Sequence, residues 1–289
     1  MQMRLHAACV AGAVWLAVAP ARAQSLPEAR TPAAALAGPS LPQDIAKRLK
    51  SGDAVQVKSA LDDVRVAGRA GGAAVPVIAQ LLRDGLSPTL TQAALETLAD
   101  TENETATDIV AWYAHHRNPI LRRTAVEALA RTGGPGAAKA LRGALSDSDA
   151  AVRGVAATAL GALKAHEAVR DLFAALDRKV PEAAASLGAL CDAAECERLS
   201  EKLGSLPFDV VTTGLDEVLL RPTSEINDDL KIKIVGRVRE LGTAEGHHFL
   251  KGVEARWPAR GSHRVKQAID QAVLATASSP GSDGSEVAP

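Results

Sequence analysis

Leucine-like residues recur along this chain at Val66, Leu98, Leu129, Leu160, Leu187, Val238 and Val273. Each but the last has an apolar partner twelve residues on, at Ile78, Val110, Leu141, Leu172, Leu199 and Leu250. The early rungs lie 32, 31 and 31 residues apart. A period of that length holds one helix, a turn and a returning helix, and such a unit cannot bury its apolar face alone. The expected fold is therefore all-α: an α-α superhelix in which antiparallel hairpins stack and each shields the next. In such an array length sets the number of hairpins, not of domains.

Hydrophobic residues make up 47% of the sequence but aromatics only 2%, so the core has to be built from Ala, Leu and Val. With 33 basic and 34 acidic residues the chain carries no charge excess of the kind nucleic acid requires, and no nucleic-acid partner is expected. The first 23 residues read as a cleaved secretory signal. Arg4 and His6 open it, Ala7 to Ala19 is an apolar run, and Ala21-Arg22-Ala23 is an A-x-A site before Gln24. The run is shorter than the roughly 20 residues a membrane-spanning helix needs, and no later segment is long and apolar enough. The mature chain is expected to be periplasmic or secreted, with no integral membrane segment.

Residues 24–40 form a Pro- and Ala-rich leader, expected to be flexible. The array is expected over 41–277 and a disordered polar tail over 278–289. Hairpins start at polar caps, Asp53, Ser87-Pro88, Asn118-Pro119 and Asp149, where a side-chain oxygen can accept from a free helical N–H. Gly71-Gly72 and Gly133 to Gly136 supply turns. The second hairpin's return helix is expected to open at Glu102 to Thr107 and run to His116. The fifth hairpin, Val180 to Leu203, has a short first helix at Pro181. The 51 residues between Leu187 and Val238 leave room for an extra helix near 207–220 before Asn227 restarts the pattern.

In the third and fourth hairpins Asn118-Pro119-Ile120-Leu121-Arg122 leads to Ala125 and Leu129, and Asp149-Ala150-Ala151-Val152-Arg153 leads to Ala156 and Ala159-Leu160-Gly161. Here the sequence resembles the HEAT-repeat family, in the short-repeat variety also seen in phycobilisome-lyase-type proteins. That resemblance covers most of Asp53 to Thr276 and speaks to fold, hardly to activity. Arg122, Arg123 and Arg153 are read as structural, each able to reach toward the neighbouring repeat.

Cys191 and Cys196 flank the turn of the fifth hairpin. In an oxidising compartment they can pair, if their Cα atoms come within about 7 Å. Some HEAT-repeat enzymes, those resembling deoxyhypusine hydroxylase, hold a di-iron centre with repeated His-Glu dyads. This chain has one, His166-Glu167, and the adjacent pairs His115-His116 and His247-His248 lack the i, i+4 spacing of helical metal ligands. No catalytic residue, metal or cofactor is expected. Near the end Lys251, Arg256, Arg260, Arg264 and Lys266 form a basic cluster, read as a solvated end cap and not as an anion site.

Trp112 offers the best surface candidate. With Asp108, His115 and His116 it falls at i, i+4, i+7 and i+8, off the face of Val110 and Ala114. In proteins like this one second helices line the concave wall, where an exposed Trp would anchor a partner. The simpler reading packs Trp112 on Ile109 at the hairpin edge. The expected function is a non-catalytic scaffold or assembly adaptor for another protein in the cell envelope. Its rivals are a HEAT-type accessory lyase or metal-dependent enzyme and a self-associating structural component of the envelope.

Overall fold

The computed structural model describes residues 40–277, and the expected signal, the leader up to residue 39 and the polar tail lie outside them. Fifteen α-helices, three short 3-10 segments and no strand are present among the described residues. The all-α superhelix expected from the 31-residue period is what forms. Helix α1 (Gln43–Leu49) precedes five hairpins: α2 (Ala54–Ala67) with α3 (Val75–Asp84), α4 (Pro88–Thr101) with α5 (Thr107–Tyr113), α6 (Pro119–Thr132) with α7 (Pro135–Ala144), α8 (Ala150–Ala162) with α9 (Val169–Asp177), and α10 (Ala183–Leu190) with α11 (Ala193–Ser200). A lone helix α12 (Phe208–Leu220) follows, then α13 (Asp228–Leu241), α14 (Ala244–Arg256) and α15 (His263–Ala277).

First helices stack on first helices in the order α2, α4, α6, α8, α10, α12, while each second helix packs against the first helix of the next hairpin. The core is the seam between these layers. Leu98, Leu129, Leu160, Leu187 and Val238 are fully buried, as are their partners Val110, Leu141, Leu172, Leu199 and Leu250 and the first of the partner positions, Ile78. Small neighbours such as Ala94, Ala125 and Ala156 are equally buried and let the helices approach. Three of the four expected caps bond as their chemistry requires, whereas the Ser87 side chain makes no cap bond to α4 and meets the Thr89 hydroxyl instead. Asp53, Asn118 and Asp149 each accept from backbone N–H groups two or three residues on, and Asp192 forms a reciprocal capping box with Glu195.

Two rungs fall elsewhere than the period puts them. Val66 is 90% exposed, and Leu61 and Val64 face the core in its place. The cause is the first turn, which is a seven-residue 3-10 segment, Gly68–Ala74, and adds length between the two helices. Gly71 tucks so tightly against Val64 that a Cβ there would stand 2.8 Å from the Val64 carbonyl oxygen. At the far end Val273 is only half-buried and Ala272 takes the core position.

Arg122 reaches forward to Asp147 before the next hairpin, as expected, and the motif cations also reach backward. Arg122 donates to the carbonyls of His116 and Arg117, and Arg153 to those of Asp147 and Ser148, so each closes the turn that precedes its own helix. Lys231, four residues after the cap Asn227 as Arg122 is after Asn118, donates to the carbonyls of Leu219 and Arg221 at the end of α12. Its burial pushes the ammonium pKa down.

Candidate functional site

Helix α5 carries the surface candidates, and it is shorter than expected. It ends at Tyr113, so His115 lies in a turn and His116 beyond it, and the stripe Asp108, Trp112, His115, His116 is not one helical face. The reason is Asn118. His116 Nδ1 accepts from the Asn118 backbone N–H at 3.0 Å, which folds the chain back before the cap of α6. The His116 ring stacks on Tyr113, centroids 5.7 Å apart, and is half-buried. His116 thus belongs to the turn, and His115 stays exposed beside it.

Asp108 and Trp112 do remain together. Trp112 is 64% exposed, with its edge against Tyr113 at 4.9 Å between centroids. Tyr113, which the helical pattern does not single out, holds this corner by donating its hydroxyl to the Leu82 carbonyl at 2.8 Å, so α5 is pinned to α3. Burial raises the Tyr113 pKa, keeping the phenol a donor. Trp112, Ile109, Asp108 and Arg83 line an open depression of about 370 Å³ between α3 and α5. Ile109 is buried at its floor and leaves the indole largely uncovered. The arrangement offers an apolar ring, a guanidinium and a carboxylate on a rigid support, which is chemistry for contact with another molecule.

The other candidates are structural in their surroundings. Cys191 and Cys196 are bonded, with Cα atoms 5.2 Å apart, and both are fully buried. Arg221 Nη1 covers them, 2.7 Å from the Cys191 carbonyl and within 3.9 Å of both sulfurs. His166 Nδ1 bonds to the Leu190 carbonyl. Among the described residues no three His, Cys, Asp or Glu side chains come close enough to share a metal ion, and no helix is long and apolar enough to cross a membrane. In the C-terminal basic cluster Arg256 pairs with Asp216, Arg264 with Asp229 and Lys266 with Asp270, while among the described residues Lys251 and Arg260 have no ion pair.

A solenoid of helical hairpins is the class of protein these observations define. The family model for HEAT repeats matches residues 75–153 and again 108–191. No curated protein matches the chain. Among solved structures, the CpcE–CpcF complex of phycocyanin lyase from Nostoc sp. PCC7120 is 18% identical, covering 89% of this chain and 100% of that one, with a TM-score of 0.43. Human deoxyhypusine hydroxylase is 19% identical over 81% of this chain and 95% of that one, TM-score 0.37. A designed armadillo repeat protein in complex with the peptide (KR)4 is 17% identical over 80% of this chain and 98% of that one, TM-score 0.41. Likeness at this identity reaches no further than the helical-repeat fold.

Proposed function

We propose that the chain is a non-catalytic scaffold or assembly adaptor that binds another protein through its layer of second helices, with Trp112 as anchor. The observation that carries the reading is the uncovered indole of Trp112 beside the Arg83–Asp108 depression, on a helix already fixed by Tyr113. A surface that is ordered before it binds loses little entropy on binding. An aromatic anchor of this kind concentrates binding energy in few residues. The envelope is the proposed compartment, on the strength of the A-x-A site that ends the expected signal and the Cys191–Cys196 pair, whose bond suits an oxidising environment.

The test is quantitative capture from an envelope extract by the immobilised chain. Trp112→Ala is expected to cost about 2 kcal/mol of binding and to lose the retained protein. Val66→Ala, a change at another exposed apolar residue, on α2, is the control and retains it. Equal capture by the Trp112 variant and the wild type overturns the assignment of the anchor.

A further inference from the structure

Ion pairing differs between the two layers, although Arg153 of α8 in the first bonds only to carbonyls and Arg142 of α7 in the second pairs with Asp171. On the first-helix layer every cation of α2 and α6 meets a carboxylate: Lys58 with Asp62, Arg65 with Glu96 and Asp100, Arg122 with Asp147, Arg123 with Glu127, and Arg131 with Asp100. On the second-helix layer Arg83 of α3, Lys139 of α7 and Arg170 of α9 are exposed, and among the described residues none has a carboxylate within 4.0 Å. Their placement is ordered. Relative to the buried rungs Ile78, Val110, Leu141 and Leu172, Arg83 stands five residues after its rung, Trp112 two after, and Lys139 and Arg170 two before. By this register all four lie on the side of their helix turned away from its rung, and they make a line across α3, α5, α7 and α9. Arg83 and Trp112 share a depression, and the Arg142–Asp171 pair ties α7 to α9.

We propose that this line is the docking track for an extended acidic segment of the partner protein, with one apolar side chain set against Trp112. The inference rests on the scaffold reading and adds the partner's chemistry to it. Packed helices stand about 8–10 Å apart and an extended peptide advances roughly 3.3 Å per residue, so contacts recur about every three residues. The partner pattern is then acid, apolar, acid, acid at intervals of about three residues, in either chain direction. Asp108, inside the same depression, is placed to accept from backbone N–H groups of the segment. Nucleic acid is the less suited polyanion. The cations are few, spread over three helices and interleaved with Asp108 and Asp171, unlike the dense basic patch phosphates require.

The experiment is fluorescence anisotropy of the purified chain at low salt with two labelled decapeptides. They are Glu-Ser-Gly-Leu-Ser-Gly-Glu-Ser-Gly-Glu and its reversed order, each compared with a version carrying Lys for Glu and with a decathymidine strand. One acidic peptide is expected to bind at least about tenfold tighter than its Lys version, and the double change Lys139→Glu with Arg170→Glu to weaken it about tenfold. Lys58→Glu with Arg123→Glu, the same charge change on the first-helix layer, leaves binding within about twofold, and circular dichroism checks that both double variants fold. Absence of acidic-peptide binding, equal binding of the Lys version, tighter binding of the decathymidine, or equal loss in the first-layer variant overturns the proposal. If that happens while Trp112→Ala still abolishes capture of the partner, the scaffold reading stands and only the acidic track falls.

Discussion

Arg122 and Asp147 are the least exposed ion pair of the array, their side chains 13% and 10% accessible. The guanidinium meets both carboxylate oxygens, at 2.8 and 2.7 Å, and also holds the His116 and Arg117 carbonyls, so one side chain links two successive turns. Burial on its own would raise the Asp147 carboxyl pKa, but Arg122 and the Asp149 N–H outweigh it and keep the carboxyl below its ordinary range. A carboxyl depressed on folding adds stability that is present above its unfolded pKa and lost as pH falls through the folded value. Asp147→Asn is therefore expected to cost about 1.5–3 kcal/mol at neutral pH, and progressively less as the pH drops below the usual carboxylate range. Urea midpoints across that range check it. A loss that does not change with pH would mean that the charge of Asp147 is not what stabilises the turn.

Glycines decide how closely elements approach. A Cβ on Gly188 of α10 would stand 2.1 Å from the Gly214 carbonyl oxygen, and one on Gly214 of α12 would stand 2.4 Å from the Ala184 carbonyl oxygen, so these two helices touch backbone to backbone. Gly236 in α13 has open space around it. Gly188→Ala is expected to destabilise the chain by about 3 kcal/mol through overpacking. Gly236→Ala is expected to stabilise it by about 0.5–1 kcal/mol, the helix-propensity gain alone. Urea denaturation of the two variants measures both, and a loss at Gly236 as large as that at Gly188 would contradict the close crossing. The contrast also marks what is legible in the sequence. Hairpin order, caps and most buried rungs follow from periodicity, because each is set within one repeat. The displacement of Val66 follows from turn geometry at Gly68–Ala74, which the apolar pattern does not encode. The end of α5 at Tyr113 depends on a backbone N–H finding the His116 ring. Whether Trp112 is covered, and which cations are paired, depends on what the neighbouring repeat presents, and periodicity names a face without naming its neighbour. Lys139 and Arg170, two positions before Leu141 and Leu172, are the one part of the proposed track that repeat alignment by itself makes visible.

At the scale of the whole chain, the array changes character after α12. Up to that point first helices lie on one another through continuous apolar rungs. Helix α13 then turns aside to pack on α11 as well as α12, and α15 stacks on α13. Much of this joint is polar. Arg237 bonds to Ser200 and Glu201, Lys233 pairs with Glu197, Arg256 pairs with Asp216, and Lys231 caps α12. Phe208 and Phe249 add an edge-to-face contact with centroids 6.2 Å apart. In a linear array stability is the sum of each repeat and its interfaces, so the weakest interface sets where the structure opens first. Exposed ion pairs contribute little, about 0–1 kcal/mol each, whereas a buried Leu in the regular stack contributes roughly 2–5 kcal/mol against truncation. The segment α13–α15 is therefore expected to open as a unit before α6–α10. Native-state hydrogen exchange should show its slowest amides exchanging at least about tenfold faster than those of α6–α10, and Arg256→Ala should widen the gap. The Cys191–Cys196 bond lies on the stable side of the joint, and Arg221 connects it to Lys231, so reduction is expected to speed exchange in α13 as well as in α11. Uniform protection from α6 to α15 would mean that the joint is as firmly packed as the rungs, and that the chain behaves as one cooperative stack.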